Sequence, residues 1–248
     1  MKLACSSTAF GRLLSSGELT QIEWLDLCAR TLASDGVISD VRHFPRTDYD
    51  YLAQIKKMAA DLGLTVAALR SDDFFSADEP AMRADFEIAS ALAAPLLTSH
   101  LPSELQTSWS DVLARVGVAT SLAKQYNITL AVRNVPDTLT STTQNLKRLA
   151  KEADSAWLRF APEPSMFDLA SDPAAIVSKT VLAWHVHSPA EVESDENPPM
   201  DRLFTLLKDF RGFLAVDYRD GGGSVDAMRA AFIELRTMIA TEEIGAAL

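Results

Sequence analysis

Two textures alternate along the chain. Short apolar runs rich in β-formers occupy 2–7 (KLACSS), 36–41 (GVISDV), 64–69 (LTVAAL), 95–100 (PLLTSH), 128–134 (ITLAVRN), 156–161 (AWLRFA), 181–187 (VLAWHVH) and 213–218 (FLAVDY). Between them, apolar residues recur at helical spacing. In TQIEWLDLCARTLA (20–33), Ile22, Leu25, Ala29 and Leu32 form one stripe. Thr20, with Glu23 three residues on, makes a capping box that predicts the helix start. DYLAQIKKMAADLG (50–63) repeats the design, with Gly63 as its C-cap, and SWSDVLARVGVATSLAKQYN (108–127) predicts a long helix capped by Asn127.

Eight strand-like runs, each followed by a helical segment, imply a parallel sheet with crossover helices. Eight such units in 248 residues fit a closed (β/α)8 TIM barrel, read as a single domain over 1–248. A doubly wound open sheet uses fewer strands in this length. The turn after the first run, CSSTAFG, has one glycine and lacks a dinucleotide fingerprint. The polar stretch SPAEVESDENPP (188–199) reads as the longest loop, and RDGGGS (219–224) as a flexible loop into the last helix, with Ser224 as N-cap.

In a (β/α)8 barrel the functional groups stand at the C-terminal ends of the strands. Taken in order, those ends offer Ser6 and Ser7; Asp40, Arg42 and His43; Arg70, Asp72 and Asp73; His100; Arg133 and Asn134; Glu163; His185 and His187; and Asp217 and Arg219. All four histidines fall there, and histidine is the side chain suited to proton transfer near neutral pH. In a strand His185 and His187 share a face, opposite to Val186. If Val186 packs against helices, both imidazoles face the barrel interior.

Composition narrows the partners. The chain is 48% hydrophobic with a formal net charge of -11, so it lacks the basic footprint of a nucleic-acid binder. No apolar stretch reaches the ~18 residues of a membrane span. Cys5 and Cys28 lie in apolar segments without metal spacing and read as reduced thiols of a cytoplasmic protein. The N-terminus has no signal-peptide core.

The segments ELTQIEWLDLCARTLASDGVISDVRHFP and DYLAQIKKMAADLGLTVAAL carry a likeness. With Leu19 to Asp26, Gly36-Val37 and His43-Phe44 in the matching places, the chain resembles the sugar phosphate isomerase/epimerase group of xylose-isomerase-like TIM barrels. The resemblance implies a small carbohydrate or sugar phosphate as partner, proton transfer beside a carbonyl, and a homodimer as one option. It also implies a divalent ion (Mn, Mg or Zn) held by Glu, Asp, His and Glu at the ends of strands 5 to 8.

The corresponding positions here are Arg133-Asn134, Glu163-Pro164, His187 and Asp217. A guanidinium about 4 Å from a divalent ion costs several kcal/mol even at an effective dielectric of ~20. No metal site is therefore expected. Glu163, His187 and Asp217 are the expected catalytic groups. His43, Arg70, His100, Arg133, Asn134, His185 and Arg219 are the expected substrate contacts. Arg133 has two readings, as an internal ion pair with Glu163 and Asp217 or as a seat for a ligand anion. A DNA-repair nuclease of the same barrel would need more metal ligands than four histidines supply.

Overall fold

The structure is a computed structural model that describes residues 1–103, 105–167, 172–187 and 204–247, with side chains to 241. Its strands are β1 (Lys2–Ser6), β2 (Gly36–Asp40), β3 (Thr65–Arg70), β4 (Leu96–Ser99), β5 (Thr129–Val132), β6 (Leu158–Phe160), β7 (Leu182–His187) and β8 (Phe213–Tyr218). The helices are α1 (Gly11–Ser16), α2 (Gln21–Arg30), α3 (Tyr49–Asp61), α4 (Glu79–Ala91), α5 (Trp109–Tyr126), α6 (Thr143–Ala153), α7 (Ala174–Val177) and α8 (Val225–Ala247). Each of the eight runs read from the sequence yields a strand. The loop expected at 188–199 lies outside the described residues.

Local chemistry sets the helix ends. Thr20 accepts from the Glu23 N–H at 3.2 Å while Glu23 accepts from the Thr20 N–H at 2.9 Å, which completes the capping box. Asn127 ends α5 in the left-handed conformation, and Gly63 follows α3 at φ +74°. On α2 the buried residues are Gln21, Trp24, Leu25 and Cys28; of the expected stripe Leu25 and Leu32 are buried, and Ile22 and Ala29 pack part-buried against the core.

All strand pairs are parallel, in the order β6-β5-β4-β3-β2-β1-β8-β7. Closure falls between β6 and β7. Phe160 N–H donates to the Lys179 carbonyl at 3.2 Å, Val181 N–H to the Phe160 carbonyl at 3.0 Å, and Trp184 N–H to the Pro162 carbonyl at 2.8 Å. The molecule is thus a (β/α)8 barrel, as the strand count implies.

Apolar side chains divide into two bodies. The larger lies between strands and helices, and it includes Leu3, Cys5, Leu69, Leu130, Leu214 and Val216. The smaller fills the barrel: Ala4, Ile38, Ala67, Ala68, Ala131, Ala161, Leu182, Trp184 and Ala215. Six alanines leave a wide lumen, and Trp184, fully buried, occupies it. Its ring becomes the floor beneath the strand ends. No described helix is long and apolar enough to cross a membrane.

Candidate active site

A cavity of about 980 Å³ opens at the C-terminal ends of the strands. Its walls include Thr8, Arg42, His43, Arg70, Asp72, Arg133, Glu163, Ser165, Asp217 and Arg219. The floor is an ion network. Arg70, at the end of β3, donates from Nε and Nη2 to Asp72 Oδ1 (2.9 Å) and Oδ2 (2.8 Å). Its Nη1 donates to Thr8 Oγ1 at 2.8 Å and to Asp217 Oδ2 at 3.0 Å, and Thr8 in turn donates to Asp217 Oδ2 at 2.7 Å. Arg42 clamps Asp40 through Nε and Nη2 (2.9 and 2.7 Å) and reaches Asp72 Oδ2 at 3.1 Å. Burial alone would raise the Asp72 carboxyl, but the Arg70 hydrogen bonds and the Arg70 and Arg133 charges hold it well below the usual range.

Arg133 follows β5 directly and lies over the Trp184 ring, its guanidinium carbon 4.0 Å from the centroid. Its side chain is 8% exposed, and its closest carboxylate oxygen, Asp72 Oδ1, is 3.7 Å from Nη1. That Nη1 is buried without a hydrogen-bond acceptor. Burial and the neighbouring Arg70 charge push the group down to about 10. The expected internal pair with Glu163 and Asp217 does not form as direct contacts. Among the described ion pairs of Arg133, only the long one to Asp72 is present.

Asn134 binds the main chain of Glu163 on both sides: its Nδ2 donates to the Glu163 carbonyl at 3.0 Å, and its Oδ1 accepts from the Glu163 N–H at 2.6 Å. It therefore positions Glu163, and its polar atoms are taken up there. The Glu163 carboxylate accepts from Ser165 Oγ at 2.8 Å. Burial raises its pKa, against the opposing pull of Ser165 and Arg133. Across the mouth, His43 Nδ1 is 2.8 Å from Ser7 Oγ, which itself accepts from the Asp40 N–H at 2.9 Å. Burial lowers the His43 pKa despite Asp40. His43 stands three residues past β2 and Glu163 three past β6. In the closed ring of eight these strands face each other.

The loop after β8 completes the rim, and it is anchored. Gly223 N–H donates to the Ala9 carbonyl at 2.9 Å, and Arg12 Nε donates to the Asp220 carbonyl at 3.1 Å. A Cβ at Gly223 would lie 2.8 Å from the Ala9 oxygen, so only glycine permits this approach.

Two expected placements are corrected. Val186 lines the cavity, and Leu182 and Trp184 fill the barrel, so His185 and His187 lie on the outer face of β7. Their rings are 6.3 Å apart, and His187 lies 5.6 Å from the Tyr218 ring. Enclosure and the neighbouring His187 push His185 down to about 4. His100 turns its Nδ1 to the Leu101 carbonyl at 3.0 Å and is not part of the cavity wall. Of the other expected residues, the wall includes Glu163, Asp217, His43, Arg70, Arg133 and Arg219. Thr8 was not anticipated, although the polar run Ser6-Ser7-Thr8 after β1 carried its signal.

The residues do not fit the divalent ion of the resembling family. The strand-5 position holds a cation, His187 faces away, and Asp217 is engaged by Arg70, Thr8 and the Tyr218 N–H (2.8 Å). Among the described residues no three His, Cys, Asp or Glu side chains gather at metal-binding separation.

No protein-family model matches the chain, and no curated protein does. Solved structures do. A probable 3-DHS dehydratase, AsbF, of Bacillus anthracis superposes with a TM-score of 0.76 at 14% identity, covering 95% of this chain and 99% of that one. D-allulose 3-epimerase of a Methylomonas species, in complex with D-allulose, gives 0.71 at 12% identity, covering 95% and 97%. A xylose isomerase domain protein of Planctomyces limnophilus gives 0.67 at 12%, covering 95% of each chain. The fold is that of the xylose-isomerase-like TIM barrels.

Proposed function

We propose that the protein is an isomerase or epimerase of a small carbohydrate, moving a proton at a carbon beside a carbonyl without a divalent ion. The observation that carries this reading is Glu163, a half-buried carboxyl of raised pKa on the cavity wall, held by Asn134 and Ser165 and faced across the barrel by His43. Proton abstraction beside a carbonyl needs a base on one side of the carbon and an acid that returns the proton. Glu163 serves as the first group, since raising a carboxyl toward neutrality strengthens it as a base. His43, across the mouth, serves as the second from its protonated form; burial, which lowers its pKa, makes that form a readier proton donor. Negative charge builds on the substrate oxygen as the proton leaves. The guanidinium-rich wall offsets that charge, in the place where related barrels would use a metal. Asp217, tied to Arg70 and Thr8, acts on the wall's geometry instead of on the proton.

Deuterium uptake from D₂O into ketoses, aldoses, sugar acids and sugar phosphates tests the reading. Exchange at one carbon is expected in wild type and a loss of at least about 100-fold in Glu163→Gln, the scale of general acid–base catalysis. Absence of exchange with every compound, alongside ligand-induced rises in melting temperature, would favour the second reading, a small-anion binder without turnover. The engagement of Asp217 by Arg70 supports that alternative. One ion tightly held per chain in protein purified without chelator would contradict the metal-free step.

A further inference from the structure

The wall of the mouth differs in charge from the rest of the protein. The chain carries a formal net charge of -11. The cavity, however, is lined by five arginines (Arg12, Arg42, Arg70, Arg133, Arg219) against four carboxyl groups (Asp72, Glu163, Asp217, Asp220). With Asp40 held behind Arg42 the charges there nearly balance, so the mouth escapes the acidity of the rest of the protein and can admit an anion.

Deep in that cleft the donors are unequally used. Arg70 places Nε, Nη1 and Nη2 on Asp72, Thr8 and Asp217. Arg42 places Nε and Nη2 on Asp40 and Asp72. Arg133 instead has a buried Nη1 with no acceptor. A buried guanidinium N–H without a partner costs about 1–3 kcal/mol or more, and the residue that carries it lines the cavity, so an acceptor entering beside Arg133 would relieve that cost. The Trp184 ring, its centroid 4.0 Å from the guanidinium carbon, backs the group from below. A planar carboxylate matches a guanidinium edge, and its single charge suits one open guanidinium. A phosphate dianion would need several donors together, and the deep cation beside Arg133, Arg70, already has all three of its nitrogens committed.

We infer that Arg133 is the seat of a substrate carboxylate, so the carbohydrate is a sugar acid. This deepens the proposed function and rests on its reading of the cavity as a substrate site, but its test reads binding and not turnover. The experiment uses the full-length Glu163→Gln protein and wild type at matched ionic strength, with calorimetry or thermal shift as readout. Glucuronate, galacturonate and gluconate are compared with glucuronamide, glucose and glucose 6-phosphate. At least one acid is expected to bind about tenfold or more tighter than the amide, the neutral sugar and the phosphate, the worth of one charged hydrogen bond. Arg133→Met should abolish that preference. The wild-type comparison of glucuronate with glucuronamide needs no variant and so stands even if Arg133→Met folds poorly.

Failure of every acid to bind, equal affinity of acid and amide, tighter binding of the phosphate, or an undiminished acid preference in a folded Arg133→Met protein would each overturn the assignment. Acid binding without deuterium exchange would uphold this inference while refuting the proposed reaction. Exchange into neutral sugars alone would do the reverse.

Discussion

Replacing Arg133 by methionine should make the ligand-free protein more stable. Arg133 is 6% exposed, and its pKa falls from 12.5 to about 10 because burial and Arg70 disfavour the charged form. At ~1.4 kcal/mol per unit, that shift means the fold opposes the charge by about 3 kcal/mol, with the attraction of Asp72 already included. Losing the guanidinium stack on Trp184 returns about 1 kcal/mol of that, and a thioether against the same ring recovers part of the loss. Asp72 keeps its two-point bond to Arg70 and its contact with Arg42. The net expectation is a gain of roughly 1–3 kcal/mol. In a domain of this size 1 kcal/mol corresponds to roughly 2–4 °C, so the melting temperature should rise by several degrees. Calorimetry of both proteins without ligand measures it. A fall in melting temperature for Arg133→Met would show that the guanidinium is an integral strut of the network, and the inference from its unpaired donor would lose its basis.

The opposite change at the partner should be costly. Asp72→Asn leaves Arg70, Arg42 and Arg133 short of one buried anion and should destabilise by ~3–5 kcal/mol in urea unfolding. His185, at about 4 in the fold against 6.5 unfolded, is neutral when folded, so unfolding takes up a proton between those values. Its contribution is therefore intact above pH 6.5 and lost as pH falls toward 4, by about 3 kcal/mol, and His185→Gln should flatten that slope in acid-unfolding curves. Gly223→Ala would force a Cβ to 2.8 Å from the Ala9 oxygen and displace the β8–α8 loop, costing about 1–3 kcal/mol and lowering any activity of the mouth more than a surface Gly→Ala elsewhere.

The barrel was readable because its signals are local. Runs of β-formers, the Thr20–Glu23 box and the caps at Gly63 and Asn127 depend on neighbours in sequence, and each has its counterpart in the structure. The site was readable only to the level of strand ends. Which side a residue faces is hidden in a parallel strand, where both faces are apolar and no alternation marks the inside. In β7, Ala183 and Trp184 are both fully buried, one against helices and one in the lumen. Nothing in VLAWHVH states which. The six alanines that make room for Trp184 come from five other places in the chain, and only their assembly turns the tryptophan inward and the histidines out. Thr8 escaped notice for a related reason: its partner Asp217 is 209 residues away.

The exchange of an anionic ligand position for Arg133 is consistent only with the rest of the network. Each carboxylate on the floor is already paired, with two arginines shared among three acids: Asp40 has Arg42, Asp72 has Arg70 and Arg42, and Asp217 has Arg70 and a hydroxyl. For a divalent ion to take Asp217, the Arg70 bond at 3.0 Å and the Thr8 bond at 2.7 Å would have to break. That would strand a side chain only 13% exposed. Breaking a buried pair costs ~3–5 kcal/mol, and the ion would then meet the repulsion of Arg133, several kcal/mol more at short range. Two penalties of that size offset much of what a surviving carboxylate ligand would contribute. It follows that Arg133→Glu alone should not create tight metal binding, because Arg70 would still hold Asp217. The paired change Arg133→Glu with Arg70→Gln removes both obstacles, and isothermal titration with Mn²⁺ should detect a larger affinity for the pair than for either single variant. Equal, tight Mn²⁺ binding by the Arg133→Glu single variant would show that Arg70 does not guard Asp217.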